Sequence, residues 1–178
     1  KSQRQKYLAQ LKQNLDDEST KKLLLITLST KERLKDYKKL YKEIFKITKQ
    51  PKTLIDLACG LNPVSYPFMD LINKNGVKEG AEPLAKYFAY DIDDEDINFL
   101  NDYFDIMKKH GLKGKAAILN LKNKSKVSKL PNSDIIFLFK VIDILDKSEN
   151  NHKTSEQLIK QLIKKTNFIV ASFATRTL

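Results

Sequence analysis

The chain has 178 residues, a size that fits one domain with a hydrophobic core. Hydrophobic residues make up 41% and charged residues 31%, which excludes an intrinsically disordered or fibrous chain, and the net charge of +11 suggests a polyanionic partner. One cysteine excludes a disulfide framework, and only two histidines disfavour a zinc site. We see no apolar run long enough for a bilayer span and no signal peptide, so we expect a cytoplasmic protein.

The first 50 residues are predicted to form a small basic helical region. They carry fourteen Lys and Arg against six Asp and Glu, a net charge of +8. Over residues 31–48, apolar side chains recur at steps of three and four, which is typical of one face of an α-helix. Ser29 and Glu32 have the spacing of a capping box, so we expect this helix to begin there. An earlier amphipathic helix is predicted near residues 3–14.

From Pro51 onward, short apolar runs alternate with longer helical patterns. This alternation predicts βαβ units and a parallel sheet whose two faces are both covered. We therefore expect an α/β domain, doubly wound, over residues 51–178, after a helical region over residues 1–50. The predicted strands are Thr53–Leu57, Tyr87–Tyr90, Ala116–Leu119, Asp134–Phe139 and Phe168–Ser172, and the helix candidates lie near 64–74, 94–109 and 154–165, with a short one after residue 139.

Two features at the predicted strand ends point to a ligand. Small residues over 58–60 follow the first strand and would let backbone N–H groups approach a ligand closely. The single glycine does not meet the Gly-rich dinucleotide fingerprint, so this turn alone equally fits an ordinary strand-to-helix connection. Asp91 follows the second strand and is suited to bind ribose hydroxyls, while Asp93 or Asp94 would cap the next helix. Together the two features predict an adenosine-type cofactor.

The remaining strand ends offer polar and cationic candidates. Asn120 is suited to bind an adenine edge and Leu121 to pack on the adenine face, although Asn120 equally fits an ordinary loop residue. Lys140 after the fourth strand and Arg176 after the fifth are candidates for contact with RNA phosphate or with a target base. Simple exposure to solvent is the alternative for both. Ser172 opens the polar segment that ends in Arg176.

Six short segments over residues 29–178 carry a family resemblance. They are Ser29–Arg33, Leu57–Pro63, Pro67–Met69, Tyr90–Asp93, Leu138–Lys140 and Ser172–Leu178. In this order they resemble the 16S ribosomal RNA guanine-N7 methyltransferases that confer aminoglycoside resistance. The Asn-Pro turn and the Ser-Phe-x-Thr-Arg segment are the more distinctive matches.

The resemblance implies a Rossmann-like S-adenosylmethionine-dependent methyltransferase that modifies guanine N7 of 16S ribosomal RNA in the small ribosomal subunit. It implies a cofactor site in which Arg33 would contact the methionine carboxylate and Asp91 the ribose. The implied cofactor residues are Arg33, Ala58, Cys59, Gly60, Asp91, Ile92, Asn120, Leu121 and Phe139, and the implied neighbours of the transferred methyl group are Lys140, Ser172 and Arg176. No catalytic acid or base is implied, because the site would act by positioning.

The sequence departs from the family in three ways. Its N-terminal helical region is short, and Asn120 stands where family members often have Asp. The chain also stops where they continue with a glycine- and basic-rich stretch and a final strand pair. We therefore expect a C-terminally truncated methyltransferase domain, and the completeness of the target-base pocket stays open.

The residue types favour one methyl acceptor over two others. Guanine N7 carries a free lone pair and needs no general base. Cytosine C5 methylation usually needs a cysteine nucleophile after a later strand, whereas Cys59 lies in the first turn, where we expect it to pack. Methylation of exocyclic amines commonly uses an Asn/Asp-Pro-Pro-aromatic motif, and residues 140–143 do not match it.

Two lysine-rich blocks suggest RNA binding. One is the helix over residues 31–49 and the other is the segment 113–129; in each, phosphate contact and simple solvation remain alternatives. Tyr37 and Tyr41 lie on the apolar stripe and are expected in the core. We expect ribosomal RNA or the 30S subunit as partner, a monomer and no membrane association. The alternative functions are a methyltransferase of this fold that acts on a small molecule or protein, and a non-catalytic RNA-binding relative.

Overall fold

The computed structural model describes residues 2–13, 16–73, 76–77, 86–147 and 152–173. Four helices come first: α1 (Gln3–Gln13), α2 (Asp17–Leu24), α3 (Leu28–Arg33) and α4 (Tyr37–Thr48). The carboxylate of Asp16 starts α2 by accepting the N–H of Ser19 at 2.5 Å. The helix predicted near residues 3–14 is confirmed by α1. In the described part of the chain, no helix has the length and apolarity that crossing a bilayer requires.

The central sheet has five strands, all paired in parallel. They are β1 (Thr53–Leu57), β4 (Lys86–Asp91), β5 (Gly114–Ile118), β6 (Ser133–Phe139) and β7 (Thr166–Ser172), in the order β5-β4-β1-β6-β7. Two short strands, β2 (Ile72–Asn73) and β3 (Gly76–Val77), form a separate antiparallel pair. Since the strand order reverses beside β1, the carboxyl ends of β1, β4 and β6 form the edge where such sheets bind ligands. The predicted α/β fold class is confirmed.

Helical segments connect the strands. They are α5 (Asp94–Met107), α6 (Lys124–Ser128), α7 (Ile142–Asp146) and α8 (Lys153–Leu162), with 3-10 helices over Asn62–Met69 and Lys108–His110. Asp93 caps α5 by accepting the N–H of Asp96 at 3.0 Å, which confirms one of the two predicted caps.

Alternate residues of the strands point to opposite faces of the sheet, and each face has its own buried cluster. On the first face, which we call the tyrosine face, Tyr87 and Phe137 pack with residues of α1, α2, α4 and α5. On the second, the aliphatic face, Ile55 and Ile136 pack with residues of α6, α7 and α8. The N-terminal helices thus share a core with the sheet, and the division after residue 50 stays a prediction.

Two predictions for the N-terminal region are wrong. The single helix over residues 31–48 is divided into α3 and α4, because the backbone tightens into turns in which the N–H of Asp36 donates to the carbonyl of Arg33 at 2.9 Å. Ser29 does not begin a helix, since α3 already starts at Leu28 after Thr27. The apolar periodicity continues across this break, which is why the pattern did not reveal it.

The α-helix predicted over residues 64–74 is also wrong. The segment Asn62–Met69 is a 3-10 helix, and a short strand begins at Ile72. Pro63 and Pro67 both lie in this segment, and each lacks the N–H that an α-helical ladder needs. Asp70 then takes a left-handed conformation with φ 56° and ends the segment.

Candidate cofactor and substrate site

The turn after β1 is held in a strained and open conformation. Ala58 and Gly60 have φ values of 51° and 48°, the left-handed region that favours glycine. The N–H of Cys59 donates to the carbonyl of Tyr90 at 3.1 Å, which ties the turn to the end of β4. No atom would lie within 4 Å of a Cβ built on Gly60. The turn therefore presents backbone to open space at the carboxyl edge of the sheet.

Asp91 closes β4 beside this turn. Its Oδ2 accepts the N–H of Gly60 at 2.7 Å, and its Oδ1 accepts the N–H groups of Ile92 and Asp93 at 2.7 and 3.2 Å. A carboxylate offers about four lone-pair positions, so these three bonds leave Oδ2 room for about one further donor. The structure thus brings the two predicted elements of an adenosyl site, the turn and the carboxylate, into direct contact.

Arg33 lies at the end of α3 between two aromatic rings. Its Cζ is 5.3 Å from the ring centroid of Phe139 and 5.9 Å from that of Tyr37. Its Nε donates to the hydroxyl of Tyr37 and its Nη2 to Oδ1 of Asn62, both at 3.4 Å. Its Nη1 is buried and has no hydrogen-bond partner among the residues that the structure describes. A buried cationic donor that lacks an acceptor fits a site for a carboxylate-bearing ligand.

A buried carboxyl group is joined to Arg33 through Asn62. Asp56, 1% exposed on β1, accepts from Nδ2 of Asn62 and from the hydroxyl of Tyr87, both at 2.8 Å on its Oδ2. Burial raises the pKa of Asp56 to about 7. Neither Asp56 nor Asn62 was predicted as a site residue from the sequence, although a carboxyl group inside an apolar strand and the distinctive Asn-Pro turn were available signals.

The end of β6 meets both the N-terminal helices and β7. Lys140 has φ 58°, and its N–H donates to the carbonyl of Ser172 at 2.9 Å and to the Ser172 hydroxyl at 3.2 Å. The side chain of Lys140 forms an ion pair with Glu32 on α3, and this pair lowers the pKa of Glu32. The structure therefore gives Lys140 a protein partner that sequence analysis did not foresee. Arg176, also predicted here, lies outside the described residues.

The predicted adenine side lies at the end of β5. The N–H of Leu119 donates to the carbonyl of Asp91 at 2.8 Å, so the segment that holds Asn120 and Leu121 begins next to the predicted ribose ligand. Asn120 is exposed and accepts the N–H of Lys122 at 2.9 Å, while Leu121 is 9% exposed and borders a cavity of about 230 Å³ between α6 and α8. Ile92 is 68% exposed. The ligand roles of these residues stay predictions.

The described residues offer neither a reactive cysteine nor a cluster of metal-binding side chains. Cys59 packs in the tyrosine-face core, and burial raises the pKa of its thiol, so that a thiolate is disfavoured. Within the described ranges, no group of three or more His, Cys, Asp or Glu side chains is placed to hold a metal ion. We call the site at the carboxyl ends of β1, β4 and β6 the crevice. It combines the guanidinium of Arg33 between two aromatic rings, the open backbone turn at Gly60 and the carboxylate of Asp91.

A family model described as "Ribosomal RNA methyltransferase (FmrO)" matches residues 14–178 of this chain. The chain is also similar to the 16S rRNA (guanine(1405)-N(7))-methyltransferase of Proteus mirabilis, with 30% identity over 135 residues. That match takes in 72% of this chain and 41% of the relative. The chain spans less than half the length of the curated relatives that it matches.

Solved structures share the fold. The 16S rRNA methylase ArmA is 26% identical with a TM-score of 0.64, and the match covers 99% of this chain and 79% of that one. The 16S rRNA methyltransferase RmtF, solved in complex with S-adenosyl-L-homocysteine, is 21% identical with a TM-score of 0.72. That match covers 98% of this chain and 58% of RmtF, so the Rossmann-like methyltransferase fold is shown. From the family match over residues 14–178, this chain belongs to the FmrO family of ribosomal RNA methyltransferases.

Proposed function

We propose that the protein is an S-adenosylmethionine-dependent methyltransferase that modifies N7 of a guanine in 16S ribosomal RNA. The observation that carries this proposal is the family match over residues 14–178. The substrate class is that of the relatives named as 16S rRNA guanine-N7 methyltransferases. Action on the small ribosomal subunit also favours a cytoplasmic location and ribosomal RNA as the partner.

The crevice fits the cofactor in three parts. Arg33 offers the buried, unpartnered Nη1 to the methionine carboxylate. The turn over residues 58–60 offers open backbone to the methionine chain, and Asp91 keeps room on Oδ2 for a ribose hydroxyl. Asn120 and Leu121, at the neighbouring strand end, are proposed for the adenine.

We propose that the protein contributes to the reaction by orienting the methyl group of the cofactor and the acceptor nitrogen of guanine. When bound, S-adenosylmethionine supplies an electrophilic methyl group. Guanine N7 carries a free lone pair, so the site needs no base to activate it. Phe139, 7% exposed at the end of β6, would shield one side of the crevice from water, and Lys140 with Ser172 would form the rim where the base enters. Holding acceptor and methyl group in line is a recognised source of rate enhancement.

The exposed lysines of α4 are the proposed contact with RNA phosphate. Lys38, Lys39 and Lys42 are all exposed, while the opposite side of the helix buries Tyr37 and Tyr41 in the core. Lysines grouped on one side of a helix match the spaced negative charges of an RNA backbone. The second block, residues 113–129, is also exposed at each of its lysines and is proposed as a further contact.

The direct test is methyl transfer to purified 30S subunits from S-adenosylmethionine labelled in its methyl group, followed by mapping of the modified nucleotide. We expect N7-methylguanine in 16S ribosomal RNA and much lower incorporation with Arg33→Ala. Methylation of another RNA position, or only of small molecules or proteins, would refute the substrate assignment. Absence of S-adenosylmethionine binding would instead favour a non-catalytic RNA-binding role.

A further inference from the structure

Asn62 is a buried polar residue whose contacts lie behind the proposed cofactor site. It is 1% exposed and opens the 3-10 helix directly after the turn at Gly60. Its N–H donates to the carbonyl of Cys59 at 2.9 Å, and its carbonyl accepts the hydroxyl of Ser65 at 2.6 Å. The backbone on both sides of its side chain is therefore fixed.

The side-chain amide of Asn62 joins the carboxyl group of Asp56 to the guanidinium of Arg33. Its Nδ2 donates to Asp56 at 2.8 Å, while its Oδ1 accepts from Tyr37 at 2.9 Å and from Nη2 of Arg33 at 3.4 Å. The reversed amide would place its N–H₂ against the donors of Tyr37 and Arg33, and its oxygen against Oδ2 of Asp56, which already accepts the hydroxyl of Tyr87. The surrounding groups thus allow one orientation, the one that presents an acceptor to Arg33.

The contacts of Arg33 divide its guanidinium into a fixed side and an available side. Nε and Nη2 are bonded to Tyr37 and Asn62, whereas Nη1 is buried and unpartnered within the described part of the chain. A long arginine side chain has many rotamers, and ordering it on ligand binding would reduce affinity. The existing bonds remove that cost before the ligand arrives.

We propose that Asn62 is a positioning residue that orients Arg33 so that Nη1 meets the carboxylate of the cofactor's methionine part. This inference rests on the proposed S-adenosylmethionine site. Asn62 itself does not touch the ligand. It is held in place by its bonds to Asp56 and to the turn, and it in turn holds Arg33 on α3. It therefore also links the N-terminal helices to the sheet at the cofactor site.

Calorimetry with two ligands tests the inference. S-adenosylhomocysteine carries the amino-acid carboxylate, and 5′-methylthioadenosine lacks the whole amino-acid part. We expect Asn62→Ala to weaken S-adenosylhomocysteine about tenfold, within the range for a hydrogen bond to a charged group, and to leave 5′-methylthioadenosine within about twofold. A role in folding alone would weaken both ligands equally.

Arg33→Ala is the matched control, with the same selective loss expected. The double variant Arg33→Ala with Asn62→Ala should bind S-adenosylhomocysteine no more weakly than Arg33→Ala alone, because Asn62 acts through Arg33. Additive losses, or equal losses for the two ligands, would overturn the inference. If the wild-type protein bound neither ligand, the proposed cofactor site itself would be wrong.

Tyr37→Phe keeps the test decisive if Asn62→Ala does not fold, which circular dichroism would show. This change removes only the hydroxyl that bonds both Asn62 and Arg33, and keeps the ring that stacks on Phe68 at 6.0 Å. We expect a loss of about threefold for S-adenosylhomocysteine and none for 5′-methylthioadenosine. No selective loss with Tyr37→Phe would contradict the inference.

Discussion

The two faces of the sheet differ in their chemistry. The hydrophobic cluster of the aliphatic face consists of Ile, Leu and Val, and the helices of this face also bury a bonded polar pair, Asp146 on α7 and Ser155 on α8. The tyrosine face also buries polar groups, among them Asp56, Asn62 and Ser65. It contains five tyrosines whose side chains are fully buried: Tyr37, Tyr41, Tyr66, Tyr87 and Tyr103. Buried polar groups cost free energy unless they are bonded, so their concentration on one face marks where positions must be defined.

The bonds on the tyrosine face converge on the proposed cofactor site. Tyr41 is 2.6 Å from the hydroxyl of Ser65, which bonds the carbonyl of Asn62, and Tyr37 and Tyr87 bond to Asn62 and Asp56. On the aliphatic face, the hydroxyl of the buried Ser155 donates to Asp146 and joins α8 to α7, while the Ile, Leu and Val cluster contributes apolar burial. We conclude that one face mainly stabilises the fold and the other also orients the site, and four experiments test this division.

The largest expected effect is the pH dependence that Asp56 imparts. Its pKa is raised by burial from 3.8 to about 7, so the native state holds a proton that the unfolded state releases between these values. Stability from this group is therefore present below pH 4 and falls by up to about 4 kcal/mol as the pH rises to 7. Chemical denaturation at several pH values should show this fall for the wild type relative to Asp56→Asn.

Asp56→Asn is informative because both native bonds reach a single oxygen, Oδ2, which an amide oxygen can replace. The other described titratable groups that interact with Asp56 all remain in the variant: Arg33, Tyr37, Tyr41, Tyr87, Cys59 and Asp91. A difference in unfolding free energy that stays constant from pH 4 to 8 would contradict the prediction.

The second effect tests the aliphatic face. Leu162→Ala removes a fully buried side chain from α8 and should lower the free energy of unfolding by about 3 kcal/mol. The neighbouring Ile163 is 59% exposed, so Ile163→Ala should change stability by less than about 0.5 kcal/mol. Urea unfolding measures both. Cofactor affinity should not change in either variant, and a loss with Leu162→Ala would show that this face also shapes the site.

The third effect concerns the carboxylate that closes β4. Asp91→Ala should weaken S-adenosylhomocysteine binding by more than about 1 kcal/mol, because a ribose hydroxyl loses its acceptor. Asp93→Ala is the matched control: it removes the cap of α5 and should cost about 1 kcal/mol of stability while leaving affinity unchanged. Unchanged affinity with Asp91→Ala would contradict the ribose assignment.

The smallest expected effect is on RNA binding, and it compares exposed lysines on α4 with exposed lysines next to α7 and α8. Charge reversal of Lys38 and Lys42 on α4 should weaken RNA binding and reduce the salt slope of log K by about 2. Reversal of Lys147 and Lys164, which are also exposed, changes the net charge equally and should leave the slope nearly unchanged. Filter binding over a range of salt concentrations measures this. Equal slopes for the two variants would mean that the protein's overall charge, not α4, attracts RNA.

The sequence pattern predicted the five strands of the sheet and the helices α1, α5, α7 and α8, but it did not predict α2 or α6. Thr53–Leu57 was predicted to the residue, and the other four strands of the sheet within a few residues, because buried parallel strands are short continuous apolar runs. The cap at Asp93 also follows from local chemistry. The break between α3 and α4 and the 3-10 helix over Asn62–Met69 did not follow from the pattern, since apolar periodicity persists through both.

The site divides in the same way. The turn at Gly60 and the carboxylate of Asp91 are at strand ends, where parallel topology alone brings them together, so sequence determined that they meet. The network of Arg33, Tyr37, Asn62, Asp56 and Tyr87 joins residues up to 54 positions apart on five elements: α3, α4, β1, the 3-10 helix after β1, and β4. Only packing of the N-terminal helices against the sheet decides which donor faces which acceptor, because hydrogen bonds depend on distance and direction that residue types do not encode.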